Sequence, residues 1–318
     1  MRDPNSIIRS VIGWCAVVLG VSISCFWAFW GINELFHEGW WATSFLGNLG
    51  FVIYLTPAVI PMVLALAALR WPRVGGTLTV LSGVALLIWW RGYAFHRELS
   101  LNSIFEIVTI GSIVVMGMGI GYFIGRPQPA RLAYGLVVGL PLSIIVIFGA
   151  EPVWRVSHRP NDGFLGERLV EGNGVKLVWA PTGPGWPDRP VVKYAVAQEI
   201  VSHLVEDGSS CADVPQNIWR LPTIDEAVHS LTRGGKNAGG EWNPVQQRAT
   251  YHVRPDKESP LWNVHSMVIY WWTSSPVPEK DAVYGISYNG YVFDRGQFKP
   301  MGFRAVKEPK PPTKEPEK

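Results

Sequence analysis

The sequence predicts a membrane-spanning helical bundle of about five helices followed by a soluble α+β domain. Three observations predict it. Five long apolar stretches lie between Val11 and Ala150, charges and Gly, Pro, Asn and Asp become frequent after Glu151, and strand-like alternation is confined to the second half. Chain-wide averages hide the contrast: 48% hydrophobic residues, 17% charged residues and a net charge of +3 describe neither half. A chain of 318 residues is long enough for two units, and the composition break near Ala150 places the boundary. The small net charge, with no basic stripe interleaved with aromatics, argues against a nucleic-acid partner.

A helix needs about 20 apolar residues to cross the hydrocarbon core. The stretches 11–32, 45–69, 74–90, 104–125 and 132–150 meet that need, within a membrane unit of residues 1–150. The third is the shortest, and Arg91 beside it can snorkel to the interface and lengthen it. The first is too long and too rich in Trp for a cleaved signal core, and no small-residue cleavage site follows it. It is expected to be an uncleaved signal anchor.

Basic residues set the expected orientation. Arg2 and Arg9 precede the first span, Arg70 and Arg73 separate the second from the third, and Arg126 and Arg131 separate the fourth from the fifth. The alternate loops hold Glu34 and Glu38, then Arg91, Arg97 and Glu98. Six arginines against two favour the first set as cytoplasmic. With five spans in the inner (cell) membrane, the amino terminus is cytoplasmic and residues from Glu151 onward are periplasmic or extracellular. Four or six spans would reverse that side. Trp30, Trp40, Trp41, Trp89 and Trp90 then cluster at the outer interface and Trp71 at the inner one, as an aromatic belt.

Within the spans Glu106 is the one acidic residue. It falls in the first turn of its helix, where water and the helix dipole favour a carboxylate, so a solvated position outweighs a functional one. Gly117, Gly121 and Gly125 recur every fourth residue, as do Gly135 and Gly139, a spacing that lets helices approach closely. These glycines are read as helix packing. Pro57, Pro61 and Pro141 predict kinks, but no paired charges or broken-helix repeats accompany them, so a transporter is not indicated.

The soluble half divides into a juxtamembrane linker (151–166), a folded domain (167–306) and a Pro/Lys/Glu tail (307–318) expected to be disordered. "ERLVEGNGVKLVWA" reads as two strands around Gly172-Asn173-Gly174. Asp188 and Pro190 open an amphipathic helix with Tyr194, Ala197, Val201, Leu204 and Val205 inward, ended by Asp207-Gly208 as a C-cap. In "WRLPTIDEAVHSLTRGG", Thr223 and Glu226 form a capping box, Val228 and Leu231 supply the buried side, and Gly234-Gly235 stop the helix. "SMVIYWWTS" and "AVYGISYNGYVFDR" alternate as strands, with Asn289-Gly290 at a type I′ hairpin position. "GFRAV" makes a last short strand.

The order "LVWAPTGPGWP", helix, "WRLPT", "YWWTSSP", "AVYGISYNGYVFDRG", "GFRAV" resembles the formylglycine-generating-enzyme (sulfatase-modifying-factor) superfamily. It is closer still to the carboxy-terminal domain family of collagen-like bacterial adhesins. The resemblance covers roughly 167–306 and leaves the membrane half unexplained. It implies a C-type-lectin-like fold: two helices beside small twisted antiparallel sheets with long loops between. Two departures from the enzyme pattern stand out: one extra residue precedes Arg-Gly-Gly, and Ala227 stands where the enzymes usually carry Trp.

The oxidising enzymes of that superfamily resemble copper-thiolate oxidases with two late cysteines, and no cysteine follows Cys211 here. A single thiol makes neither a two-thiolate site nor a redox pair. Cys15 and Cys25 fall in the first span, so no disulfide forms within the soluble domain. Sulfoxide-forming relatives hold iron in a separate histidine-rich helical domain, which the membrane half does not provide. His203, His229, His252 and His265 are scattered, so no metal ligand, cofactor or catalytic group is assigned.

Structural roles are expected for Trp219, Arg220, Pro222, Thr223, Glu226, Arg233, Gly234, Gly235, Gly302, Phe303 and Arg304. Arg220 and Arg304 are expected to brace loops through backbone carbonyls, and Trp219 to pack in the core. The long Gly/Asn-rich connection from Gly234 to Asn263 is a candidate binding loop. Its candidate ligand residues are Trp242, Tyr251, Arg254 and Trp262, beside Arg248 and His252; the alternative is that the two tryptophans pin the loop to its own core. Partners are then the lipid bilayer and a glycan, peptide or protein met at the outer face by a recognition module. Two other readings stand beside it: a structural subunit of a larger membrane assembly, and an enzyme on the same fold with a non-cysteine site.

Overall fold

The computed structural model describes residues 4–39, 52–96, 103–181, 191–266 and 268–310. The chain forms two compact units that divide between Trp154 and Arg155. Among the described residues of the first unit are five helices long and apolar enough to cross a membrane. They are α1 (Pro4–Glu34, continued by a π-helical turn at Leu35–Gly39), α2 (Val52–Arg70), α3 (Pro72–His96), α4 (Ser103–Ile124) and α5 (Ala130–Ser157). Helices satisfy their own backbone polar groups, which is the condition for a chain in lipid.

Several helices exceed the apolar stretches that announced them. The third runs 25 residues, the shortness of 74–90 notwithstanding, because Arg91 and Tyr93 continue it. The fifth runs through Glu151 to Ser157, so the first seven residues assigned to the linker are helical. Residues 45–51 of the second span, Trp40, Trp41, Arg97, Glu98 and the side chain of Glu106 lie outside the described residues.

Close packing in the bundle rests on glycines, and only some are the expected ones. A Cβ added to Gly125 would meet the backbone of Gly13, and one on Gly121 would stand 3.0 Å from the Cβ of Ala16, so α4 lies against α1. Gly117, Gly135 and Gly139 face open space. Their regular spacing therefore does not mark a contact, a correction to the packing role assigned to all five. The other close approaches use glycines that stand outside that pattern. Gly20 meets the Tyr122 hydroxyl (2.7 Å from an added Cβ), Gly31 meets the Tyr54 carbonyl, and Gly76 meets the carbonyl of Gly119 (2.8 Å).

Backbone contacts tie one end of the bundle together. Arg126 N donates to Arg9 O (2.8 Å), Trp14 Nε1 to Gln128 O (2.9 Å), and Gln128 N to the Ser10 hydroxyl (3.1 Å). Because Gly31, late in α1, meets Tyr54, early in α2, the α2–α3 turn falls at the same end. Arg9, Arg70, Arg73, Arg126 and Arg131 thus share one end of the bundle.

Among its described residues the second unit contains two helices and four small antiparallel sheets. Strands β1 (Arg168–Gly172) and β2 (Val175–Trp179) form a hairpin over Asn173 (φ 50°) and Gly174 (φ 82°), the signs a two-residue type I′ turn requires. β10 (Val306–Lys307) pairs with β2, with Val306 opposite Trp179, and closes the unit's first strands onto its last. The final strand is therefore shorter than "GFRAV": Gly302 makes only an isolated bridge to Trp271.

Helix α6 spans Tyr194–His203, a shorter range than 188–205. Val192 is bridged to Met301 and Leu204 to Cys211, and these extended pairings delimit the helix at both ends. Asp207-Gly208 is not its cap. Gly208 (φ 69°) closes a turn onto Val205 O (2.9 Å).

Helix α7 (Ile224–Ser230) carries the expected capping box. Glu226 N donates to Thr223 Oγ1 at 3.1 Å, and Thr223 N donates to Glu226 Oε2 at 2.8 Å. The helix ends at Ser230, and Gly234-Gly235 do not stop it. They turn the hairpin between β3 (Thr232–Arg233) and β4 (Lys236–Asn237), both with positive φ.

A second hairpin, β5 (Gly240–Asn243) with β6 (Arg248–Tyr251), follows. The last sheet is β7 (Tyr270–Pro276), β8 (Ala282–Ser287) and β9 (Val292–Gly296). Its β8–β9 turn is not type I′. Only Gly290 has positive φ (81°), with Gly290 N bonded to Ser287 O and Ser287 N to Tyr291 O (both 2.9 Å), a wider turn ending in a bulge. Two apolar clusters fill the unit, one around Trp179, Val228, Trp262 and Trp271, the other around Ala197, Val201, Trp219 and Trp272.

Candidate functional site

The connection from Gly234 to Asn263 is largely ordered into hairpins and a buried turn, and it distributes its candidate residues unequally. Trp262 is 3% exposed and stacks on Trp271 with centroids 3.6 Å apart. Its assignment as a ligand-stacking residue is corrected, because the ring is part of the core. Trp242 is half-buried with its ring edge-on to Tyr284 (5.2 Å), and Tyr251 is half-buried in the same cluster. Arg254 is exposed, as are Arg248 and His252. The four do not converge on one pocket: the tryptophans pin the hairpin inward, and Arg254 stands on the surface.

Within the same connection lies a feature that the sequence conceals. Asp256, Lys257 and Glu258 are consecutive, charged and buried. The Asp256 carboxylate accepts both prongs of the Arg159 guanidinium (2.6 and 3.0 Å), Arg155 Nη1 (2.9 Å), the Lys257 backbone N–H (2.8 Å) and, at 3.4 Å, Arg233 Nη1. Burial pushes this carboxyl up, but the hydrogen bonds and charge of Arg159 outweigh it and hold Asp256 below its ordinary value. The Lys257 ammonium donates to Ser266 O, and burial, then the charge of Arg159, pulls it well down. Glu258 goes the opposite way: burial raises its carboxyl despite N–H groups from Gly235 and Gly234. The Gly-Gly turn therefore faces a buried carboxyl, a role more specific than stopping a helix. A network centred on one carboxylate in this way fixes geometry, although among the described residues Glu258 Oε1 is buried without a hydrogen-bond partner.

The remaining motif residues are mostly structural. Arg304 is buried and donates to Ala180 O (2.6 Å), Pro260 O (3.0 Å) and Leu261 O, tying two segments to its own. Burial, with the charge of Arg168, pulls it down to about 9, which leaves it charged at neutral pH. Arg220 differs from expectation: its main partners are carboxylates, Glu226 (2.6 and 2.7 Å) and Glu308 (2.9 Å). Trp219 is buried and donates to Val205 O (2.8 Å), and Pro222 O accepts from Ser274 N (2.7 Å). Phe303 is core, and Gly302 leaves room for the Tyr270 carbonyl, 2.6 Å from an added Cβ. Ala227 is buried beneath α7.

A surface cleft of about 680 Å³ is a second candidate site. It is lined by Glu167, Leu169, Val178, Val205, Glu206, Asp207, Lys307, Pro309 and Lys310. A lobe of about 300 Å³ shares Glu206, Lys307 and Lys310 and adds Trp219, Arg220 and Glu308. Lys307 stands between them. Its Nζ donates to Glu167 (2.9 Å) and Glu206 O (2.6 Å) and lies 4.2 Å from the Trp219 ring centroid. Lys310 pairs with Glu206 and holds that carboxyl below its ordinary value.

Lys307, Glu308 and Lys310 were assigned to a disordered tail, yet each is paired here. Residues 311–318 lie outside the described residues. The signal that would have joined Lys307 to the domain is the alternation of "FRAVK", one residue past the boundary drawn at 306.

Among the described residues no three His, Cys, Asp or Glu side chains converge as metal ligands. His203 and His229 bond carbonyls of their own helices, Glu199 and Asp225, both at 2.8 Å. The three cysteines are free thiols. Comparison with protein-family models, curated proteins and solved structures gives no match for the chain.

Proposed function

We propose that the chain is a membrane-anchored recognition protein whose second unit binds a peptide, glycan or partner protein in the Lys307 cleft. One observation carries this reading. The cleft sets apolar Leu169, Val178 and Val205 beside two ion pairs, an exposed one of Lys310 with Glu206 and one of Glu167 with the largely buried Lys307. Exposed pairs are worth little to the fold. A ligand can therefore part Lys310 from Glu206 at small cost while covering the apolar side chains.

A C-type-lectin-like fold is part of the proposal. It is supported by two helices set among small antiparallel sheets and by the order of the motifs that carry the resemblance. The gathering of arginines at one end of the bundle supports a cytoplasmic placement for that end, and so an outward-facing second unit in a cell membrane. Protease added to intact cells should cleave the second unit, and protection would overturn the orientation.

For binding, full-length protein in mild detergent is applied to peptide and glycan arrays. Retained ligands should be lost in a Glu167→Ala, Lys310→Ala double variant whose melting temperature is unchanged. A full-length protein that retains nothing at any concentration overturns the reading.

A further inference from the structure

The arginine end of the bundle also carries a groove that the recognition reading does not use. It has a volume of about 210 Å³ and lies between α3 and α4, lined by Thr77, Val80, Leu81, Ile120, Phe123 and Ile124. Its depth follows from glycine. An added Cβ on Gly119 would stand 2.7 Å from Val80 Cγ2, and one on Gly76 2.7 Å from Phe123 N. The two backbones meet there, and the larger side chains splay to either side. Those side chains stay open to their surroundings: Leu81 is 56% exposed, Ile120 53% and Ile124 48%.

Cations stand at one mouth of this groove. Arg126 follows the end of α4, and its guanidinium Nη1 reaches Gly125 O (2.6 Å) and Phe123 O (3.5 Å), which sets it beside a lining residue. Arg73 lies one helical turn before Thr77 on α3, on the same face. Among the described residues no carboxylate pairs with Arg73 or Arg126. An apolar trough in a bilayer-spanning helix pair takes a hydrocarbon chain, and unpaired arginines at its end take an anion.

We infer that this groove holds an acyl chain of an anionic phospholipid whose headgroup phosphate is met by Arg126 and Arg73. The inference needs only the membrane-embedded helices, and stands or falls independently of the cleft on the second unit. Arginine suits the headgroup because its planar fork can present two donors to phosphate oxygens.

The experiment is native mass spectrometry of the full-length protein in mild detergent. It is titrated with phosphatidylglycerol or phosphatidylcholine carrying identical oleoyl chains. The unmodified protein should retain phosphatidylglycerol roughly thirtyfold more strongly, since two basic residues near a membrane surface at about a kcal/mol each contribute about 2 kcal/mol toward anionic lipid. Arg73→Ala with Arg126→Ala should erase that preference and keep weak retention of both lipids, while Arg131→Ala, at the same end but not lining the groove, should preserve it. Leu81→Trp, which fills the trough, should reduce retention of both. Equal retention of the two lipids by the unmodified protein overturns the inference. So does a preference that survives loss of Arg73 and Arg126, or one lost equally with Arg131.

Discussion

The two units solve the same packing problem with opposite materials. In the bundle, α1 and α4 come together where Gly13 faces Gly125 and Ala16 faces Gly121. In the second unit, Asp256 gathers Arg159, Arg155 and Arg233 in a place almost closed to water, and Arg304 spans three carbonyls. Lipid tails are as apolar as the helices, so helices in a bilayer gain from close backbone approach and not from burying grease. A water-soluble unit already gains from its core of Trp179, Trp262 and Trp271, and its buried ions instead fix which loops meet. The lesson is that a cavity or a bulk change should injure the first unit, and a charge change the second.

The largest expected effect tests that contrast at its centre. Asp256→Ala leaves Arg159 buried beside an empty position and should destabilise the second unit by about 3–5 kcal/mol, read as loss of its calorimetric transition. The same site gives a pH dependence. The folded Asp256 carboxyl lies below its ordinary value, so its stabilisation stands above about pH 4 and is lost as pH falls through the lowered folded value. Asp256→Asn should be less stable than the unmodified protein at neutral pH and flatten that acid-side decline. An identical decline in the variant would move its origin elsewhere.

Arg304→Met comes next. It abandons the Ala180, Pro260 and Leu261 carbonyls and should cost about 2–4 kcal/mol, at 1–3 for each buried group left unsatisfied, less what relaxation recovers. In the bundle, Gly125→Val forces α4 away from Gly13 and should cost about 1–3 kcal/mol. Gly139→Ala, facing open space, should leave thermal stability in detergent unchanged. If the two glycine variants behave alike, the contrast between the units is wrong on the bundle side. Thr223→Ala removes one half of the capping box and should cost about 1 kcal/mol. Smallest of all, Lys280→Ala deletes a fully exposed partner of Asp294 and should not move the melting temperature.

What could be read in advance follows the same division. The five helices were legible because length in apolar residues is a one-dimensional property, and the capping box and the Asn173-Gly174 turn because their chemistry is local. Three features were not. "RPDKESP" reads as a solvated turn, since nothing adjacent in sequence announces the arginines that come in from 155, 159 and 233. Gly234-Gly235 has the composition of a helix stop and of a hairpin turn alike, and the pairing of Thr232 with Asn237 decides between them. Trp262 and Trp242 sit in a polar stretch that fits a binding loop and a loop pinned to its core alike, whereas Trp262 stacked on Trp271 and Trp242 edge-on to Tyr284 turn both rings inward. The cleft was missed for a related reason: Glu167, Glu206 and Lys307 converge only after β10 pairs with β2.

That pairing also sets an order of events in synthesis. Trp179 has no partner on its outer side until Val306 arrives, and residues 180–305 must be made first. During that interval β2 is an open edge carrying Leu177 and Trp179, the kind of edge that recruits strands from other chains. A nascent chain paused between the two strands should therefore bind holdase chaperones and crosslink through β2. Release from the chaperone should coincide with the emergence of residue 307 and not with that of either helix.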